Sequence, residues 1–264
     1  ISIYYAENMA TIIDNMREVQ PDLVITVPRA LGKAYDKIIY KGKDMKFPKK
    51  NIFHWAVNLG HQYKLHNKNT FFYRIKLKIA DKLVFKKWRE AFGGKVKVVV
   101  SGGAALQTRL SKIFWAAGIP VAEGYGLTET SPVIAASNFT TGEIKFGTVG
   151  PVLPNVEVKI AEDGEILCKG HSIMMGYYKQ PKLTREVIDK EGWFHTGDVG
   201  MLEDEKYLKI TDRKKEMFKL VSGKYIAPQV IENKLKTSFF IEQAMVVGEN
   251  QKFAAAIIAP NFSF

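Results

Sequence analysis

Four short stretches carry the side chains whose types and spacing could do chemistry. Ser101-Gly102-Gly103-Ala104-Ala105-Leu106 follows a β-branched run and precedes an apolar-periodic one. Small residues there let a planar or anionic ligand approach the backbone, at the strand edge of a parallel sheet where ligands bind. A helix N-terminus beside them would attract an anion. A tight strand-to-helix turn explains the same glycines. Glu123-Gly124-Tyr125-Gly126-Leu127-Thr128-Glu129-Thr130 offers open backbone, a flat ring, a hydroxyl and a carboxylate. Those groups suit stacking a base, holding a phosphate and binding Mg²⁺ through hard oxygens. A turn and a capped helix would use the same Thr and Glu.

The third stretch is Gly192-Trp193-Phe194-His195-Thr196-Gly197-Asp198-Val199-Gly200. An aspartate between glycines can accept both hydroxyls of a ribose diol, each charge-assisted hydrogen bond contributing roughly 1.5–3 kcal/mol. His195 has no ligand-like spacing to another histidine and reads as structural, and Trp193 as core. The fourth is Thr211-Asp212-Arg213-Lys214-Lys215-Glu216 followed by Val221-Ser222-Gly223-Lys224-Tyr225. Taken alone, such a charge run reads as solvated surface. No Ser–His–Asp or Cys–His grouping for a protein nucleophile is evident. Cys168, the single cysteine, lies in the apolar run Glu165–Cys168 and reads as a buried small side chain.

The elements that must position these groups alternate through the first half. Helices are expected over Ala6–Val19, from Pro28, over Phe53–Leu65, Thr70–Phe92 and Leu106–Ala117. Strands are expected at Leu23–Val27, Lys95–Val100 and Pro120–Glu123. The Lys-, Gly- and Pro-rich stretch Tyr40–Asn51 reads as an exposed loop. Alternation of this kind predicts an α/β fold, a mostly parallel sheet with flanking helices. From Gly147 to Ile210 short β-rich runs between Gly and Pro predict a small antiparallel, barrel-like subdomain. A helix over Pro228–Lys236 and strands at Ala244–Val247 and Phe253–Ile258 then read as the start of a small α+β C-terminal domain. The expected division is residues 1–143, 144–211 and 212–264.

The 264 residues suffice for a full core, and 46% hydrophobic with 25% charged residues is ordinary globular composition. No apolar run approaches the ~20 residues of a membrane span, and no secretory signal is legible. With one cysteine no intramolecular disulfide can form, which suits a reducing compartment, so a cytoplasmic location is expected. The net charge of +12 is uneven: Lys33–Lys97 holds 18 basic against 4 acidic residues. Arg74, Lys78, Lys82, Lys86 and Arg89 recur at three- and four-residue steps and form one stripe of a helix, with Ile79, Ala80, Leu83 and Val84 on its packed side. A solvated face accounts for the stripe. So would attraction to an anionic membrane surface, which would place the protein peripherally at the inner membrane, or attraction to nucleic acid.

In order and wording the four stretches resemble the adenylate-forming (AMP-binding) superfamily, specifically its long-chain fatty-acid–CoA ligases. Tyr125-Gly126-Leu127-Thr128-Glu129 resembles the adenine- and magnesium-binding motif, Gly192–Asp198 the ribose motif, and Asp212–Glu216 the hinge. Met175-Gly176-Tyr177-Tyr178-Lys179-Gln180-Pro181 is similar in style to the text between them, and the resemblance covers nearly the whole chain.

What the resemblance implies is ATP-dependent conversion of a fatty acid to acyl-AMP and transfer to coenzyme A, with ATP, Mg²⁺ and coenzyme A as co-substrates. Catalytic roles fall to Thr128, at the nucleotide phosphate, to Glu129, which would hold Mg²⁺, and to Lys215, the hinge. Gly102, Gly103 and Ala104 with Glu123, Gly124, Tyr125 and Gly126 would border the adenine. Asp198, assisted by Arg213, would bind the ribose, and Ser222, Gly223 and Lys224 would line the pantetheine path. The family's Ser/Thr/Gly-rich triphosphate loop and its C-terminal lysine are not found among the 264 residues, so an internal fragment inactive by itself, and prone to self-association, is expected. The partners implied are fatty acid, ATP and coenzyme A, without nucleic acid. The rivals are another acid ligase of the same superfamily and a non-catalytic basic protein that binds membrane or nucleic acid through Lys33–Lys97.

Overall fold

A computed structural model describes residues 2–8, 11–66, 68–238 and 240–262. The chain divides into two compact units, Ile1–Gly124 with Ser137–Gly147, and Tyr125–Ala136 with Thr148–Phe264.

In the first unit, helices α1 (Ile12–Val19), α2 (Pro28–Lys43), α3 (Lys49–His61), α4 (Phe71–Ala80), α5 (Lys86–Ala91) and α6 (Thr108–Ala116) accompany strands β1 (Leu23–Thr26), β2 (Val98–Ser101) and β3 (Val121–Gly126). The last two residues of β3 belong to the second unit. β1 pairs in parallel with β2, and β2 with β3, aligning Thr26 with Ser101 and Ser101 with Glu123. The parallel α/β expectation is met. α1 starts at Ile12 rather than Ala6; Met9 and Ala10 of the expected span lie outside the described residues.

The expected loop over Tyr40–Asn51 is mostly helix. α2 continues to Lys43 because Leu31, Tyr35, Ile39 and Gly42 form one buried stripe. Gly42 is a contact and not a breaker: a Cβ there would lie 2.1 Å from the Phe53 ring on α3. Of the lysines that suggested a loop, Lys41 and Lys43 lie off that stripe on α2, Lys46 lies between the two helices, and Lys49 and Lys50 open α3. The core of this unit is aromatic. The Trp88 ring meets Phe85 at 5.5 Å and Tyr35 and Phe114 at 6.4 Å, edge to face.

α4 is capped by the Thr70 hydroxyl, which accepts from Tyr73 N at 3.3 Å. It continues through a π-helical turn, Asp81–Phe85, into α5. Two expectations for this helix need correction. Ile79 and Leu83 are not packed but 48% and 46% exposed, while Ala80, Val84, Phe85 and Trp88 are buried. Arg89 is not a solvated cation of the stripe, because its guanidinium grips Asp81 and donates to the Ala117 carbonyl at 2.7 Å.

In the second unit, β4 (Val133–Ala136) precedes β5 (Gly150–Pro151), β6 (Val156–Ile160), β7 (Glu165–Gly170), helix α7 (Pro181–Val187), β8 (Phe194–Glu203) and β9 (Tyr207–Arg213). The last five strands form an antiparallel sheet in the order β5-β9-β8-β7-β6. It is an open sheet, with β5 and β6 at its edges. Ile134, Ile166, Cys168, Phe194 and Leu208 bury together against it. Burial pushes the Cys168 thiol up to about 12, so it remains a neutral packing group.

Two hairpins follow, β10 (Phe218–Lys219) with β11 (Tyr225–Ile226), and β12 (Ile241–Val247) with β13 (Ala255–Pro260), separated by α8 (Pro228–Leu235). Asp212, buried at the end of β9, fixes α8: its carboxylate accepts from Gln229 N at 3.1 Å and from Arg213 N at 2.7 Å. An anion at a helix N-terminus satisfies an orphan donor that Ala227, the N-cap residue, has no side chain to meet.

Candidate nucleotide site

Within the second unit the site begins where β3 ends. A Cβ on Gly126 would lie 1.7 Å from the Pro132 carbonyl oxygen, so only glycine lets the chain double back there. Residues Thr128–Thr130 form a single 3₁₀ turn and not the start of a capped helix. The Thr130 hydroxyl closes it, bonding Leu127 N and Leu127 O at 3.0 Å. The turn leaves Thr128 exposed and Glu129 half-buried. Glu129 accepts the Tyr177 hydroxyl at 3.0 Å, and its carbonyl accepts Met174 N at 2.8 Å.

The Tyr125 phenol donates to Asp198 Oδ2 at 2.7 Å. Asp198 sits on β8 directly across from Arg213 on β9, whose Nε lies 3.6 Å from Asp198 Oδ1. Burial raises the Asp198 carboxyl above its usual range, against the opposing pull of the Tyr125 hydrogen bond and the Arg213 charge. Burial, and then the Asp198 charge, likewise push the Tyr125 phenol up. The phenol thus stays protonated and keeps donating, and the aspartate keeps lone pairs for a second donor such as a sugar hydroxyl.

A second cluster supports this one. Glu165 on β7, almost buried, accepts Gly197 N at 3.0 Å and Lys214 Nζ at 2.8 Å, and lies 3.2 Å from His195 Nδ1. Lys214 also pairs with Asp163 at 2.6 Å, and its backbone N–H donates to the Gly197 carbonyl. Burial alone would raise the Glu165 carboxyl; Lys214, His195 and the Gly197 N–H outweigh it and hold the carboxyl low. The glycine before Asp198 is therefore fixed from both sides. Trp193, expected in the core, is half-buried with the Lys159 ammonium 4.1 Å from its ring centroid.

The remaining expected residues take other positions. Lys215 lies exposed in the turn after β9, and Ser222, Gly223 and Lys224 form the exposed turn of the β10–β11 hairpin, closed by Leu220 N to the Lys224 carbonyl at 2.9 Å. In the first unit, Gly102, Gly103 and Ala104 form the turn between β2 and α6, with Gly103 at φ +79° and open space around it. Gly124 is half-buried on β3, and Glu123 is held inward. The Glu123 carboxylate accepts the Ser111 hydroxyl at 3.1 Å, and its backbone is bonded to Ser137. Glu123 holds its strand rather than facing a ligand. Sequence reasoning passed over Tyr177, Glu165 and Lys214 as site residues. Only the place of Tyr177 in the family-like text and that of Lys214 in the hinge-like run signalled them.

Residues 3–178 match the model of a protein family described as AMP-binding enzyme. The chain belongs to the AMP-binding enzymes. This AMP-binding enzyme is 34% identical to the long-chain-fatty-acid–CoA ligase FadD15 of Mycobacterium bovis, over 98% of its own length and 43% of that protein's. It is 35% identical to the peroxisomal long chain acyl-CoA synthetase 6 of Arabidopsis thaliana, over 98% and 38%. The chain thus spans less than half the length of these curated relatives. Its fold is that of o-succinylbenzoate CoA synthetase from Bacillus subtilis (TM-score 0.66, 19% identity, 96% of this chain and 44% of that one). It is likewise that of the adenylation domain of a carboxylate reductase from Mycobacterium chelonae (TM-score 0.68, 23% identity, 97% and 37%).

Proposed function

We propose that this chain carries the ribose-binding, magnesium-binding and hinge portions of an enzyme that activates a long-chain fatty acid with ATP and passes the acyl group to coenzyme A. The observation that carries the reading is the Tyr125–Asp198–Arg213 arrangement, a carboxylate braced by a phenol and a guanidinium. Two relatives named for long-chain acyl activation support the substrate class.

In this reading the fatty carboxylate attacks the α-phosphorus and pyrophosphate leaves. The coenzyme A thiol then attacks the acyl carbonyl and AMP leaves. Neither step needs a protein nucleophile; alignment and neutralisation of developing charge supply the acceleration. Asp198 accepts the ribose hydroxyls, and Tyr125 and Arg213 hold it in place. Tyr125 and Gly126 border the adenine, and Thr128 donates to a phosphate oxygen.

Glu129 fits Mg²⁺ by donor type, a carboxylate whose other partner is a neutral phenol. Among the described residues no group of three or more His, Cys, Asp or Glu could hold a metal alone. That suits an ion that takes one or two carboxylates plus substrate phosphates. Mg²⁺ would supply charge neutralisation at those phosphates. Lys215 is the pivot of the region from residue 212 onward, and Ser222–Lys224 borders the thiol's path in the second half-reaction. Cys168 supports a reducing compartment, and we place the protein in the cytoplasm. No helix among the described residues is long and apolar enough to cross a membrane.

Calorimetric titration with AMP and with a non-hydrolysable acyl-adenylate tests the reading. Saturable binding is expected, tighter for the acyl-adenylate and weakened in Asp198→Ala. Binding indifferent to Asp198→Ala would overturn it.

A further inference from the structure

The α4 helix carries an apolar surface that the described residues leave uncovered. Phe71, Phe72, Ile75, Ile79 and Leu83 are 73%, 75%, 42%, 48% and 46% exposed. At about 100° per residue, the first four fall on one face of the helix. In a strict α-helix Leu83 would stand at the edge of that face, about 20° beyond Phe72. The π-helical turn Asp81–Phe85 takes up one extra residue and draws Leu83 toward the middle of that face, with Val84 and Phe85 buried in the core. The seam is thus extended over about 18 Å.

Basic residues border it. Arg74, Lys78, Lys82 and Lys86 run along one side at four-residue steps, and Lys76 lies on the other. The one acid from Phe71 to Phe85 is Asp81, and Arg89 holds it. From this pairing of an exposed apolar seam with a cationic border we propose that α4 is an interfacial helix that lies in the surface of an anionic lipid bilayer. Phe71, Phe72, Ile75, Ile79 and Leu83 enter the acyl boundary, and the lysines meet the headgroups. Helices of this composition bind in the plane of the interface, with the apolar face sunk about 5–10 Å. Nucleic acid would engage the lysines but leave Ile75, Ile79 and Leu83 in water. A second copy of the chain would set one cationic border against another. The proposal needs no nucleotide and is independent of the enzymatic reading.

Vesicle co-sedimentation tests it, comparing phosphatidylcholine with phosphatidylcholine–phosphatidylglycerol. The protein is expected to pellet with the anionic vesicles and to be released by salt. Phe71→Ser with Phe72→Ser should lower the partition coefficient at least tenfold. Lys78→Glu with Lys82→Glu should lower it about 25-fold or more, on about fivefold per lysine lost. These side chains are exposed, so both variants should keep the wild-type circular dichroism. Hydrogen exchange should show vesicle-induced protection confined to residues 70–83. Three results would overturn the proposal: equal pelleting with both vesicle types, pelleting unchanged in the variants, or protection elsewhere. Protection of the seam without vesicles, in a dimer, would assign it to a second copy; salt-sensitive binding to duplex DNA without binding to vesicles would assign the border to nucleic acid.

Discussion

The hydroxyl of Tyr125 reaches across 73 residues of sequence to donate to Asp198 at 2.7 Å, so two distant glycine-flanked motifs share one carboxylate. Each motif is weak taken alone. The contact makes them parts of one polar centre, with Arg213 opposite.

Removing that carboxylate should remove ribose recognition. Asp198→Ala is expected to weaken AMP binding by about 10- to 100-fold, the equivalent of losing a charge-assisted hydrogen bond. Tyr125→Phe keeps the ring but loses the donor that favours ionised Asp198. The aspartate's pKa, already raised by burial, should rise further, and the acid limb of AMP binding should move to higher pH. Titrations across pH on both variants check this.

Glu123 makes stability depend on pH. Burial raises its carboxyl from 4.5 to about 7, with the Ser111 hydroxyl and the Leu106 N–H opposing. A folded-state pKa above the unfolded value means a contribution present in full below the unfolded pKa and lost as pH rises through the folded one. Glu123→Gln, neutral throughout, should therefore gain on the wild type above neutrality, by an amount on the order of 3 kcal/mol, and show no gain in acid. Melting temperatures on either side of this window decide it.

Lys214 keeps Glu165 ionised inside the protein. Lys214→Ala leaves a carboxylate only 6% exposed without its ammonium partner, and should cost about 1–3 kcal/mol, reduced from the fully buried case because Lys214 itself is half exposed. Glu165 is held below its usual pKa, so its contribution is present above the unfolded pKa and lost as pH falls through the folded one. The gap between wild type and variant should narrow in acid. Chemical denaturation at neutral and acid pH measures it.

The two glycine motifs should respond differently to alanine. In Gly126→Ala the new Cβ meets the Pro132 carbonyl at 1.7 Å, so the turn cannot form as it stands. A large loss of melting temperature, or no folded protein, is expected. Gly103 has φ +79° but nothing within 4 Å, so Gly103→Ala should cost only about 1–2 kcal/mol of backbone strain. Comparing the two melting curves separates close approach from conformation.

The local pattern was enough for most of the elements and for the motifs. β-branched runs at Leu23–Thr26 and Val98–Ser101 are strands, the apolar stripe through Leu110, Ile113 and Phe114 is a helix, and short runs between glycines form the antiparallel sheet. These follow from periodicity and turn chemistry, which act over a few residues and are written in order along the chain. The family was legible for the same reason, since its motifs are contiguous.

What only the tertiary structure decided depends on partners far away in sequence. Tyr40–Lys43 is helical because Gly42 admits the Phe53 ring, a fact that composition reads as a loop. Glu123 faces inward because Ser111 meets it there, and Lys214 is a clamp rather than solvated charge because Asp163 and Glu165 converge on it. A side chain's role is set by what it meets after the chain has folded, and a charge or a glycine looks the same in the sequence whether or not it meets anything.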